Sequence, residues 1–310
     1  MTNTAQQTQT VLTKKKFKAH WETRSSYLMM APFLILFTVF TILPILASIG
    51  LSFTSFDMLQ KPRWVGFSNY VRLLLDDEIF LQVFKNTLVF AFITGPISYV
   101  LSFLLAWMIN EYKPTARSIW TLIFYAPSLA GNIFYIWTII FSGDYYGFMN
   151  SFLIKTGFIR EPIDWIGNTS YVLGVLLTVQ IWLSFGAGFL SFIAGFQSID
   201  NSLYEAGRID GIRNRWQELW YITIPSMAPQ LMFGAVMQIS GSFGVSEVIK
   251  QVGGFPTRGY AGDTIGTYII DYGTVRFEMG YACTLSVVLF LIMIFTNAII
   301  TKLLKRNLND

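Results

Sequence analysis

The chain has 310 residues, 53% of them hydrophobic and 13% charged, with a formal net charge of +4. Soluble domains carry about 25% charged residues, so an ordinary globular fold is excluded, and so small a positive excess does not argue for nucleic acid. The single cysteine, Cys283, forms no internal disulfide, and nothing else supports a metal cluster.

Six stretches carry no charged residue for 23 residues or more: 25–56, 86–110, 118–143, 165–199, 219–246 and 279–301. A membrane-spanning helix needs about 20 apolar residues, and a charge at its centre costs about 2.5–3.5 kcal/mol on insertion scales. The gaps predict an all-α polytopic membrane protein with six transmembrane helices in one domain over 27–310, preceded by a basic tail, 1–26. The tail does not read as a cleavable signal peptide. The apolar run after Arg24 is far longer than a signal core, and no A-x-A-like site follows it.

The first span is expected from near Tyr27 to about Phe53, kinked at Pro44. The second covers roughly Asn86–Asn110, broken by Gly95-Pro96. The third covers Ser118–Phe141, with Pro127, Gly131 and Asn132 at mid-depth. The outer loop 142–169 carries Tyr145, Tyr146, Phe148, Phe158 and Trp165, an interfacial aromatic belt or a docking surface for an external partner. The fourth span covers Tyr171–Phe196, the fifth about Ala228–Ser246 and the sixth Met279–Thr301. The outer loop 249–278 is glycine-rich and reads as flexible turns.

With the N-terminus inside, the inner segments 1–26, 110–118, 197–226 and 302–310 hold 13 Lys and Arg against 7 acids. The outer loops hold 9 against 11. The positive-inside rule therefore favours N-in, C-in.

No Asp, Glu, Lys, Arg or His lies within any of the six gaps, although proton- and ion-coupled carriers place ionisable groups inside the membrane. The chain has one histidine, His20, no H-E-x-x-H, and no G-x-x-x-x-G-K-[ST]. No catalytic residue, metal site or cofactor is therefore assigned to it, and it does not read as an enzyme. If it transports, another subunit must supply the energy.

The one long cytoplasmic segment, about 198–225, is patterned. Ser202 and Glu205 have capping-box spacing, starting a helix that Gly211 can end in a left-handed conformation. A second helix, about Arg213–Ile222, leads to Pro225. The first presents Leu203, Tyr204 and Ile209 among charges, as helices do that lie in headgroups or plug into a partner's groove.

The segment Glu205-Ala206-Gly207, then Arg208-Ile209-Asp210, then Gly211, closing with Ile222-Thr223-Ile224-Pro225, resembles the E-A-A-x3-G-x9-I-x-L-P loop of ABC importer permeases. Gly207 replaces the second Ala, Ile224 replaces Leu, and ten residues rather than nine precede Ile222. The Arg-Ile-Asp-Gly run and Arg215-Trp-Gln217 are similar to the carbohydrate-uptake branch, the maltose and glycerol-phosphate type. So are Trp64-Val-Gly-Phe-Ser-Asn-Tyr70, Asn86-Thr87, Pro162-Ile-Asp-Trp165, Gly253-Gly-Phe-Pro256 and Gly280-Tyr-Ala282.

The resemblance implies a type I importer permease fold in the cell membrane of a prokaryote. It implies a second homologous permease, two cytoplasmic ATPase subunits holding ATP and Mg, and an external solute-binding protein that delivers a carbohydrate, with an oligosaccharide expected. It carries the ATPase-coupling role onto Glu205, Ala206, Gly207, Asp210, Gly211, Ile222 and Pro225. The coupling helix is then about Ser202–Asp210, with Glu205 either offering its carboxylate to the ATPase or serving only as a cap.

Helix faces suggest where solute passes. Gln238, Ser242 and Ser246 recur at i, i+4, i+8; Gln180, Ser184, Gly188 and Ser191 form a similar stripe beside Trp182. Tyr125, Ser128, Asn132 and Tyr135 do the same in the third span. Small residues at this spacing are also how membrane helices pack, but a lone amide in lipid is costly. The expected substrate contacts are Gln238, Ser242, Trp182, Ser184, Tyr125 and Asn132: neutral amides, hydroxyls and aromatic faces suited to an uncharged polyol. The alternatives are the same machinery carrying a sugar phosphate or another polar solute, and a stand-alone carrier or membrane-embedded enzyme.

Overall fold

The computed structural model describes residues 27–131 and 133–309, with side chains as far as Leu303. The basic tail and Asn132 lie outside the described residues. The chain divides after Leu51 into two compact units.

The described part of the first unit is one apolar helix, α1 (Tyr27–Leu51), of 25 residues, with a mean hydropathy of 2.5 over an 18-residue stretch. Pro44 cannot donate a backbone hydrogen bond, and its ring presses on the carbonyl four residues back. The helix answers with a π turn at Thr38–Ile42, where the Leu43 N–H reaches Thr38 O. The expected kink at Pro44 takes this form.

The second unit begins with a short antiparallel ladder, β1 (Thr54–Ser55) against β2 (Arg63–Trp64). It is the one sheet among the described residues of an otherwise helical chain. Next comes α2 (Glu78–Asn110), 33 residues long, whose N-cap Asp77 accepts from Phe80 N–H at 3.0 Å. Two expectations are corrected here. The helix starts about two turns before Asn86, and Gly95-Pro96 does not break it. Pro96 sits on the exposed face, so its ring and the freed carbonyl of Phe92 meet no packed neighbour.

The third span does break. Helix α3 (Pro114–Leu129) and helix α4 (Phe134–Ile140) are bent by 86° across the intervening residues. After α5 (Phe148–Lys155), the fourth span comprises α6 (Val172–Leu183) and α7 (Ala187–Ser198), interrupted at Ser184–Gly186. The loop after α7 supplies α8 (Asn201–Ile209) and α9 (Arg215–Glu218). The fifth predicted span is α10 (Ala228–Phe243), the glycine-rich loop holds α11 (Ile265–Ile270), and α12 (Met279–Asn309) follows.

Among the described residues four helical segments are long and apolar enough to cross a membrane, or five when the bent α3–α4 pair counts as one. The 16-residue α10 is the exception to the six expected. At 1.5 Å per residue it reaches about 24 Å, short of a core about 30 Å thick.

Helix α10 is nonetheless the centre of the second unit, packing on α2, α7 and α12. The α7–α10 crossing is close because both sides lack Cβ atoms. A Cβ on Gly188 would sit 3.5 Å from Gly234 Cα, and one on Gly234 would collide with the Phe192 ring. Small residues permit such approaches between membrane helices. Phe189, Phe192, Phe196, Met227 and Leu231 fill the space around it.

The glycine-rich loop 249–278 is not a set of flexible turns. Asp263, Thr264 and Thr267 are buried in it. The Asp263 carboxylate accepts from the Thr257 N–H at 2.8 Å and from the Thr257 hydroxyl; burial raises its pKa above the usual carboxylate range, against the pull of those hydrogen bonds. Asn86 Nδ2 donates to the carbonyls of Tyr260, Ala261 and Asp263. Thr87 Oγ1 accepts from Ile265 N–H at 2.8 Å. The opening residues of the predicted second span are therefore the bolt that fastens this loop to α2.

Candidate functional site: the cytoplasmic loop and the membrane faces

The loop after α7 folds through local hydrogen bonds. Its first helix, α8, is capped by Asp200, whose carboxylate accepts from Ser202 N–H at 2.9 Å and lies below the usual carboxylate range because of that bond. The Ser202–Glu205 capping box is therefore corrected: the cap is two residues earlier. No hydrogen bond or ion pair within the described residues engages the exposed Glu205 carboxylate, so capping does not account for it.

The far end of α8 is as expected. Gly211 has φ +97°, Ile212 N–H reaches Gly207 O at 2.9 Å, and Gly211 N–H reaches Arg208 O at 3.3 Å. This is the paired-bond terminator that a left-handed glycine permits. Asp210 is the C-cap and stays exposed.

The second helix is shorter than Arg213–Ile222. It starts from Asn214, which accepts from Gln217 N–H at 2.9 Å, while Gln217 Oε1 accepts from Arg213 N–H at 2.8 Å. After Glu218 it continues as a π turn, Leu219–Thr223, ahead of Pro225, repeating the arrangement before Pro44. A π turn takes up one more residue than an α turn, which helps ten spacer residues return Ile222 to the first helix. A Cβ on Gly207 would stand 2.6 Å from Ile222 Cδ1 and 3.0 Å from Ile212 Cδ1. That contact explains why glycine replaces the motif's second alanine. Tyr204 and Thr223 hydroxyls meet at 3.0 Å.

The outward side of α8 has no such partners. Leu203 is 46% exposed and Ile209 86%, with Glu205 and Ala206 beside them. Beneath it, Arg215 donates to Glu218 at 2.9 Å and to Glu111 at 2.7 Å, and Arg208 Nε lies 3.5 Å from Glu218.

Within the bundle the predicted solute contacts separate. Gln238 is buried, its Nε2 donating to Ser184 O at 3.1 Å and Ser102 Oγ at 3.3 Å. Ser242 is buried, donates to Ile239 O in its own helix, and lies against Gly95. These two fasten α10 to α2 and to the break before α7. With Ala91, Gly95 and Tyr99 they wall a small apolar cavity of about 190 Å³. Trp182 stacks edge-on against Trp137 at 5.3 Å. Tyr125 lines a separate hollow near the inner end of α3 with Thr121 and Gln197. Asn132 lies outside the described residues.

Gln238→Ala is accordingly expected to lower thermal stability, each lost neutral bond contributing about 0.5–1.5 kcal/mol. A melt of the purified protein checks this. An unchanged melting temperature with tenfold lower uptake would return Gln238 to the pathway.

A different cavity, of about 320 Å³, opens where α3 breaks. It is lined by Pro127 to Gly131, Phe134, Gln180, Gly241, Gly244, Ser246 and Glu247. Gln180 and Ser246 belong to the stripes seen in sequence, but only the 86° bend brings the third span to them.

Residues 98–309 match the family model for the inner membrane component of binding-protein-dependent transport systems. The chain belongs to this family. It is a permease subunit of an ABC importer. It is 31% identical over 295 residues to the probable ABC transporter permease protein YesP of Bacillus subtilis, covering 93% of both chains. It is 30% identical to the lactose transport system permease protein LacF of Rhizobium radiobacter, over 87% of this chain and 90% of that one. It is 29% identical to the arabinooligosaccharide permease protein AraP of Bacillus subtilis, over 89% and 87%. A chain of a solved bacterial ABC transporter for alginate import superposes with a TM-score of 0.76 at 25% identity, covering 94% of this chain and 99% of that one. The same kind of transporter in complex with a periplasmic protein carrying alginate pentasaccharide gives 0.72 at 26% identity.

The permease's loop 142–169 holds a residue that sequence reading missed. Asn150 is fully buried. Its Nδ2 donates to the carbonyls of Ser142, Asp144 and Ile163, and its Oδ1 accepts from Ile163 N–H and Trp165 Nε1. An Asn on a helix facing a Pro-Ile-Asp-Trp segment carries no periodic signal. The loop leaves Tyr145, Tyr146, Phe148, Phe152 and Phe158 exposed.

Proposed function

We propose that this permease forms half of the translocation path of an importer for neutral oligosaccharides. Its partners are a second permease, two cytoplasmic ATPase subunits that hold ATP and Mg, and an external binding protein. The observation that carries the reading is α8: an exposed helix bearing Glu205, Ala206 and Gly211 in the family's coupling pattern, held from behind by Tyr204, Gly207 and Ile222. Such a helix fits a groove in an ATPase, with Glu205 free to meet a basic or amide group there. Asp210 caps its far end, and Pro225 follows the π turn that carries Ile222.

Six crossings with both termini inside place α8 in the cytoplasm, α10 completing its crossing with the turns on either side of it. Cysteine labelling should find residues 142–168 outside and 200–222 inside. An external Glu205 sinks both the orientation and the coupling role.

The sugar assignment rests on relatives named for lactose, arabinooligosaccharides and alginate. Broken backbone at membrane depth is tolerated where it lines a water-filled cavity, so the hollow at the α3–α4 break is the proposed segment of the path. Ser128, Gln180 and Ser246 offer hydrogen bonds there, with Trp182 and Tyr125 on neighbouring turns. Gln238, Ser242 and Ser184 hold the wall rather than the solute. Glu247 is the charged residue lining this hollow, which disfavours a sugar phosphate or uronate. In proteoliposomes with the ATPases and binding protein, uptake of a neutral oligosaccharide should require ATP and exceed that of its acidic counterpart. Uptake by the permease without any ATPase would overturn the reading in favour of a stand-alone carrier.

A further inference from the structure

The inner end of α2 and the cytoplasmic loop face each other across a cavity of about 390 Å³, lined by Trp107, Glu111, Arg208, Arg215 and Glu218 among others. They are therefore not joined by continuous packing. Two contacts bridge the gap: Arg215 Nη2 to Glu111 Oε2 at 2.7 Å, and the Trp107 and Trp216 rings at 5.1 Å.

Behind this bridge is Glu218, with only 9% of its side chain exposed. One carboxylate oxygen takes Arg215 Nη1 at 2.9 Å and the other faces Arg208 Nε at 3.5 Å. Arg208 belongs to α8 and Glu111 follows α2, so one chain of charges runs from the coupling helix to the second span. Exposed ion pairs contribute little by themselves. A buried carboxylate between two guanidiniums is different, because losing one partner leaves a charge stranded out of water. Tyr204 with Thr223 and Gly207 with Ile222 also hold α8 to the π turn that follows Glu218.

We propose that Glu218 is a positioning residue that passes displacement of α8 to the inner end of α2, so that the second span moves with the coupling helix. The proposal rests on the coupling role of α8 given above. Without Glu218, Arg208 and Arg215 lose their shared partner, and movement of α8 reaches α2 less directly, through the π turn and the remaining Arg215–Glu111 and Trp107–Trp216 contacts.

The test uses the complete transporter in proteoliposomes, carrying the isosteric Glu218→Gln. The quantity read is solute imported per ATP hydrolysed, which a merely structural role would leave unchanged. That ratio is expected to fall about tenfold with hydrolysis retained. Arg208→Met should lower it too, and the double variant should be no worse than Glu218→Gln, as for residues acting in one relay. Ile209→Cys, cross-linked to the ATPase, reports docking in both backgrounds. Cross-linking in both with a fallen ratio supports the proposal. Cross-linking in both with an unchanged ratio overturns it and leaves the coupling role intact. Loss of the cross-link in Glu218→Gln alone also overturns it, since Glu218 then only shapes the docking surface. No cross-link in the parent overturns the coupling role itself. Should Glu218→Gln fail to assemble, Glu111→Gln breaks the same relay at its surface end, and an unchanged ratio there is decisive against the proposal.

Discussion

Gly211→Val is expected to reduce uptake at least about tenfold while membrane insertion stays normal. Gly211 has φ +97° and open space around the position of a Cβ, so the penalty comes from the backbone and not from a clash. A side-chain-bearing residue held in such a conformation costs about 1–3 kcal/mol, and 1.4 kcal/mol is a factor of ten. Valine, branched at Cβ, stands at the upper end. The chain escapes by releasing the bonds from Ile212 to Gly207 and from Gly211 to Arg208, which frays the end of α8 that exposes Ile209. Uptake and ATP hydrolysis by the assembled transporter, with surface expression as control, measure the effect. Normal uptake and coupled hydrolysis in Gly211→Val would show that the α8 terminus carries no load.

The second large effect is expected outside. Asn150→Leu removes all five hydrogen bonds of one buried amide and leaves the Trp165 indole, the Ile163 N–H and three carbonyls short of a partner. At about 1 kcal/mol net each, the loop should lose roughly 3–5 kcal/mol of local stability. Protease added to right-side-out vesicles should then cut between residues 142 and 168 on the order of a hundredfold faster, cleavage tracking the open population. Docking of the ATPase at α8 should be unaffected. An unchanged cleavage rate would mean that the loop is held by its packing on Phe141 and Tyr171. Cutting only in inverted vesicles would reverse the orientation.

The separation between what could and could not be read in advance follows the range of the forces. Charge-free runs are a local property, because the hydrocarbon core rejects each charge where it stands; they located, within a few turns, the four helices, or five with the bent pair, that are long and apolar enough to cross. The α8 terminator was legible for the same reason, since only glycine takes φ +97° without strain. Proline was a weaker guide. Pro44 and Pro225 are preceded by π turns, Pro127 lies just ahead of a break, and Pro96 is simply absorbed in a straight run of helix. The same residue type gives three outcomes because its surroundings decide whether the freed carbonyl is tolerated.

The roles of polar residues were the least legible. Gln238 and Gln180 look alike as single amides in apolar spans. One is fastened between Ser102 and Ser184, the other lines the hollow at the bent span. Glu218 and Asn150 did not stand out, because the burial of the first between Arg215 and Arg208, and the five bonds of the second, are set by how irregular loops fold back on them. By itself the sequence determined the helical membrane class, the family and the short helix that Gly211 ends, all of which depend on residues within a turn or two of one another. Only the tertiary structure decided which faces pack and which stay open, because a buried hydrogen bond is made or lost according to what the fold carries to it from elsewhere.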